Sequence, residues 1–292
     1  MEPRIRAVTQ IARAHVALLA VALWGLPAQH WAPVADVDLS WVPQRPAQGS
    51  LLVLDAAVQV TGALAGEPLH FERVGSRFRA LAAIPLGADD TVTGALATGD
   101  DTLPVAIPVA RRSVRSECLR TADRFTRPPD SALDARLERE RVQVRALLAQ
   151  THERPRLWRE AFVRPVPGRL LSGFGSTRTF NDAVQSRHRG ADLAGAVGDR
   201  IRAANRGVVV LVADHYYAGR SVWVDHGAGL LTAYLHLSAA TVGVRDTVER
   251  GQVLGRIGMT GRVTAPHLHW SALYGRVGFD PFDLLGPLPS VP

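Results

Sequence analysis

Lysine is absent from this 292-residue sequence, so all 34 basic residues are arginine. That excludes Schiff-base lysine chemistry and the lysine of a phosphate-binding loop. Cysteine is almost absent. Cys118 stands alone, which excludes a disulfide framework within the chain, a cysteine-rich zinc ribbon and an iron–sulfur centre. No histidine lies near Cys118 in sequence, so a free buried thiol is expected there. Aromatic residues make up only 6%. The densest arginine stretch, 111–127, is interrupted by Glu117 and Asp123 and carries no aromatic ladder, so no nucleic-acid partner is expected. The formal charge of +7 is spread evenly, +3 over residues 1–164 and +4 over 165–292. Residues 16–28 are uncharged, but thirteen residues fall short of the ~20 that span a bilayer.

What is present divides the chain into parts. Arg4, Arg6 and Arg13 precede the short apolar run, and a basic start before such a run reads as an export signal. Residues 1–32 are therefore expected to be a signal peptide or, if uncleaved, an N-terminal anchor on the inner membrane. Residues 46–112 alternate short apolar runs (51–54, 57–61, 69–72, 78–85 and 103–109) with Gly, Asp and Pro clusters, which predicts a small β-sandwich. His70 is the lone histidine there and reads as structural. Pro128 and Pro129 break the chain. Residues 128–152 then form an expected helical connector that starts near Ser131, with Leu133, Leu137, Val144, Leu147 and Leu148 as its apolar stripe. From Arg164 onward, glycines alternate with Val-rich runs at 208–212, 221–224, 230–237 and 253–257. This predicts a second, all-β domain of tightly turned antiparallel strands over 164–286.

Six of the ten histidines fall in the last 105 residues. In His188-Arg189-Gly190-Ala191-Asp192, positions i and i+4 share a face on a helix or a strand, so an imidazole and a carboxylate can converge. In His267-Leu268-His269, a strand sends both imidazoles into one cleft and Leu268 into the opposite layer. In Tyr234-Leu235-His236-Leu237, His236 projects from one strand face, a weak signal by itself. Together the three patterns point to one shared site. A catalytic zinc takes three protein ligands plus water, and two His with one Asp supply that count.

Other patterns carry less. His152-Glu153-Arg154-Pro155-Arg156 begins like a helical zinc motif, but its fifth residue is Arg and Pro155 interrupts it. Gly173-Phe174-Gly175 begins like a dinucleotide loop, but Arg178 stands where the third Gly belongs. Asp214-His215 and Asp225-His226-Gly227 read as turns at strand ends.

The sequence from Gly173-Phe174-Gly175 through His188-x-Gly190-x-Asp192, Asp225-His226-Gly227, Tyr234-x-His236-Leu237 and Pro266-His267-Leu268-His269-Trp270 resembles the lysostaphin/LytM-type zinc endopeptidases, metallopeptidase family 23. The resemblance covers residues 164–286, and the upstream layout resembles the Gram-negative cell-envelope members. It implies a barrel-sandwich of the duplicated-hybrid-motif type. It also implies one Zn2+ held by His188, Asp192 and His269, with His236 and His267 as catalytic histidines. The implied activity is hydrolysis of peptide crosslinks in peptidoglycan by an exported, periplasmic or envelope enzyme. Thr264-Ala265 departs from the family's usual Gly before Pro266. Some relatives have lost ligands and act as non-catalytic activators of other wall hydrolases, and this chain keeps all five positions. Which crosslink is cut, and whether arginines along the groove meet peptide carboxylates, stays open at this level.

Overall fold

The computed structural model of the chain describes residues 37–286 and residue 288; the expected export segment at 1–32 lies outside them. The protein is mainly β. The N-terminal part holds β1 (Ser40–Val42), β2 (Leu51–Ala56), β3 (Thr61–Leu64), β4 (Glu67–Pro68), β5 (Glu72–Val74), β6 (Arg77–Ala83), β7 (Thr91–Thr98) and β8 (Asp101–Pro108). These form two four-stranded antiparallel sheets, ordered β1-β2-β6-β5 and β4-β3-β7-β8. The longest partner of β8 is β7, a strand that no sequence signal marked. Thr and Gly dilute its apolar pattern, yet it pairs with β8 along eight residues. Gly94 in its middle is needed by packing, because a Cβ there would overlap the Ala63 carbonyl of β3.

Strand alternation connects this sandwich to the rest of the molecule. Leu52, Leu54, Ala80 and Ala82 point into the sandwich core with Leu96 and Ile107. Their neighbours Leu51, Leu81 and Ala83 point the other way, into a core shared with Trp158, Leu193, Leu230 and Trp270. The β2–β6 ribbon is thus buried on both faces, with side-chain period 2 serving two cores. Each such buried Leu contributes about 1.5–3 kcal/mol of burial free energy.

Between these parts run β9 (Ser116–Leu119) and α1 (Ser131–Leu148). The helix is capped by Asp130, whose side chain accepts from the Leu133 N–H at 2.8 Å, one residue before the expected Ser131 start. Its Val144, Leu147 and Leu148 pack on Leu211, Trp223 and Leu231. Cys118 on β9 is exposed, contrary to the buried thiol expected, because alternate residues of this short strand face solvent.

The C-terminal part comprises β10 (Leu170–Ser172), β11 (Thr177–Phe180), β12 (Val184–Arg187), β13 (Ala191–Ala194), β14 (Arg200–Arg202), β15 (Gly207–His215), β16 (Gly219–Gly227), β17 (Leu230–Ala240), β18 (Thr247–Val248), β19 (Val253–Ile257), β20 (His267–Tyr274) and β21 (Val277–Phe279). The main sheet runs β10-β13-β20-β17-β16-β15-β18, with β19 pairing β14 and β17, and β21 pairing β20. A small fourth sheet is ordered β12-β11-β9, in which β9 lies parallel to β11. The upstream strand is therefore built into the C-terminal unit. Asp225 and His226 belong to β16 itself rather than to a turn. His226 is fully buried, its Nδ1 on the Arg206 carbonyl at 2.7 Å and its Nε2 on Thr232 Oγ1 at 2.8 Å.

Candidate metal centre

Sheet register brings three of the singled-out residues together. Antiparallel pairing sets Asp192 of β13 directly opposite His269 of β20, and opposed residues on one sheet face stand within side-chain reach. His188 shares neither a helix nor a strand with Asp192. It follows the end of β12, and the chain bends at Gly190 before β13 begins. Gly190 is required there, since a Cβ would come within 2.5 Å of His269 Nε2 and 2.6 Å of the Trp270 carbonyl.

The donor atoms form a near-equilateral triangle. His188 Nε2 lies 3.0 Å from Asp192 Oδ1 and 3.0 Å from His269 Nδ1, and His269 Nδ1 lies 2.9 Å from Asp192 Oδ1. All three side chains are buried. Outer partners fix the tautomers. His188 Nδ1 faces the Gly173 carbonyl at 2.8 Å, and a carbonyl only accepts, so Nδ1 carries the proton and Nε2 presents a lone pair. The Ser271 hydroxyl donates to the Arg189 carbonyl at 2.9 Å and so accepts from His269 Nε2 at 2.8 Å, which leaves His269 Nδ1 bare. Despite its burial, the Asp192 carboxyl lies well below the ordinary carboxylate range, and the Arg178 guanidinium pairs with its Oδ2. Burial, against the pull of Asp192, brings His269 down to about 4. Three proton-free acceptors thus converge at hydrogen-bond distance with no donor between them. That donor set can hold a metal ion, and its two imidazoles and one carboxylate suit zinc.

His236 and His267 stand beside the triangle. His267 Nε2 lies 3.6 Å from Asp192 Oδ1, and the His236 ring centre is 5.1 Å from that of His267 and 5.9 Å from that of His269. His236 does not simply alternate along its strand. The β16–β17 register shifts between Arg220 and Val222, and His236 takes φ +67°, a conformation costly for a residue with a Cβ. This turns its ring toward the cleft. Each ring is oriented by a carbonyl: His236 Nδ1 donates to Thr260 O at 2.9 Å and His267 Nδ1 to Ala265 O at 2.7 Å. Both therefore offer a bare Nε2. Burial first, then the neighbouring His269 and His267, lowers His236 to about 3, so it is neutral at physiological pH.

Several supporting residues were not singled out in advance. Glu117, from β9, accepts from Ser172 Oγ at 2.6 Å and from Arg178 Nε at 3.0 Å. Arg178 also pairs with Asp192 Oδ2, and Ser172 Oγ reaches His188 Nδ1 at 3.3 Å. Ser271 was findable, since it lies two residues beyond His269 on the same face of β20. Glu117 carried no sequence signal, being 55 residues from Ser172 and 61 from Arg178.

His70 proved to be partnered: its Nε2 meets His152 Nδ1 at 2.9 Å, and His152 Nε2 meets Glu67 at 3.0 Å, away from the triangle.

Residues 186–281 match the pattern described as peptidase family M23. Over 86 residues the chain is 44% identical to peptidoglycan DD-endopeptidase ShyA of Vibrio cholerae serotype O1, covering 30% of this chain and 20% of that protein. It is 35% identical over 104 residues to DD-carboxypeptidase/endopeptidase Mpg of Neisseria meningitidis serogroup B, covering 36% of this chain and 24% of that one. The chain thus spans only about a fifth to a quarter of these curated relatives. A crystal structure from Pseudomonas aeruginosa, described as a candidate M23 peptidase, superposes with TM-score 0.67 and 27% identity over 84% of this chain and 96% of that one. Over residues 186–281 the sequence pattern, and over most of the chain the fold, are similar to those of peptidase family M23.

Proposed function

We propose that the protein is a zinc-dependent endopeptidase of the bacterial cell envelope that hydrolyses peptide crosslinks of peptidoglycan. The observation that carries this reading is the triangle of three proton-free donors with two bare imidazole nitrogens beside it. The names of the relatives, which act on peptidoglycan, supply the substrate class, and the expected leader supports export.

His188 Nε2, Asp192 Oδ1 and His269 Nδ1 would hold the metal. When bound, zinc supplies Lewis-acid polarisation of the scissile carbonyl and of the attacking water. The chain's own residues do the rest. The Nε2 of His267 or His236 takes the proton of the attacking water, and the resulting imidazolium gives it to the leaving amine. Thr260 and Ala265 hold these rings so that Nε2, not Nδ1, meets the reacting atoms. Asp192, kept ionised, provides the negative charge that balances the cation. A wall-binding role without hydrolysis would need none of these three donors, so the complete set supports the enzyme.

The test uses single substitutions. His188→Ala and His269→Ala should each lose bound metal and peptidoglycan hydrolysis together. His236→Ala should keep the metal and lose turnover. Mass analysis of fragments released from purified peptidoglycan identifies the bond. Unchanged fragment release from all three variants would end this reading.

A further inference from the structure

Beside the histidines lies a cation that the mechanism does not use. The Arg262 guanidinium sits 4.1 Å from the centre of the Phe180 ring and 4.8 Å from that of Tyr217. Its backbone N–H donates to the Tyr217 carbonyl at 2.9 Å, which fastens this loop to the β15–β16 turn. The same loop carries Thr260, the residue that orients His236. Arg262 is therefore a fixed feature of the site wall.

Its electrostatics are unfavourable as they stand. Arg178 is satisfied by Glu117 and Asp192. No carboxylate among the described residues forms an ion pair with Arg262. Burial lowers its pKa, Tyr217 opposing this in part and the nearby Arg178 charge adding to it. A half-buried guanidinium packed on aromatic faces without a counter-ion costs free energy that an arriving anion would recover. The planar fork suits a carboxylate, with which it can form two parallel hydrogen bonds.

Its location says which anion meets it. Two clefts of about 430 and 210 Å³ flank the histidines, and Arg262 lines both together with His236. A chain bound against His236 must pass Arg262. We propose that Arg262 is a recognition subsite for a free carboxylate on the peptide substrate, carried by a residue next to the scissile amide. This inference rests on the peptide-hydrolase reading and adds a selectivity to it: acidic crosslinks over their amidated counterparts.

The test is a binding measurement on the full, zinc-loaded chain made inert by His236→Ala. A purified crosslinked muropeptide dimer with free carboxylates, and the same dimer converted to carboxamides, are titrated by calorimetry. The carboxylate form should bind at least about tenfold more tightly, the scale of one hydrogen-bonded charge contact. Arg262→Met should abolish that preference while leaving carboxamide affinity in place, and Arg262→Lys, which keeps the charge, should preserve its direction. The retained carboxamide binding shows that the variants are folded. Equal affinity of the unsubstituted-Arg262 chain for the two forms, or a preference that survives Arg262→Met, overturns the subsite and leaves the hydrolase reading intact. Binding of neither form overturns both.

Discussion

Glu117 and Asp192 share one guanidinium: Arg178 donates through Nε to Glu117 at 3.0 Å and pairs through its terminal nitrogen with Asp192. Glu117 sits on β9, upstream of the helix, whereas Asp192 is a member of the donor triangle. Because the Ser172 hydroxyl donates to Glu117 and its oxygen faces His188 Nδ1–H at 3.3 Å, one upstream carboxylate braces two of the three donors.

From this bracing follows the effect of Glu117→Gln. Losing the charge frees Arg178 to draw the Asp192 carboxylate away from the triangle, and outer partners of this kind typically set metal affinity by ~10–100-fold. Competition against a chelator of known affinity should show zinc binding weakened by at least about tenfold, with the far-ultraviolet circular dichroism of the β fold unchanged. Unaltered competition would mean that Asp192 holds its place unaided.

Ser271→Ala probes the tautomer argument from the other side. Without the hydroxyl, His269 Nε2 loses its acceptor, and the proton is free to move to Nδ1, the atom that faces Asp192. Zinc affinity should fall, and the ring nitrogens of His269 should show the tautomer change in nitrogen-15 spectra of the metal-free protein. Ser271→Thr, which restores a hydroxyl, should recover both. If the spectra of the alanine variant match those of the parent, the orientation of His269 is set by packing alone.

The parts of this site that were legible in the sequence are those governed by short-range periodicity. His267 and His269 share a strand face because side chains alternate, and their strand start follows Pro266. His188 and Asp192 do converge, but through a bend at Gly190 rather than along one helix or strand. His236 shows the limit of the pattern, since alternation gave its face but not the left-handed bulge that aims it. Glu117, Arg178 and Arg262 were invisible because their roles depend on which segments become neighbours, and the parallel β9–β11 pairing has no local signature. In the N-terminal sandwich, the apolar runs marked β2, β6 and β8, those at 57–61 and 69–72 met β3 and β5 only at one residue each, and β1, β4 and β7 escaped, β7 because its burial alternates with Thr and Gly.

His226 offers a pH test that is independent of the metal. It lies fully buried in β16, and burial lowers its pKa to about 4 from the ordinary value near 6.5, the Arg206 carbonyl opposing only in part. In the unfolded chain the imidazole takes up a proton near pH 6.5, whereas the folded protein does not until about pH 4. Between those values the unfolded state holds more protons, so stability rises with pH and is lost as pH falls through the window. His226→Gln, which can keep hydrogen bonds to Arg206 and Thr232, removes that one proton from the balance. Urea unfolding of the chelator-treated protein should therefore show a pH dependence shallower by up to ~1.4 kcal/mol per pH unit between pH 4.5 and 6 in the variant. Parallel curves for parent and variant across that range would show that His226 is already protonated in the fold, with Thr232 accepting from its Nε2 rather than donating to it.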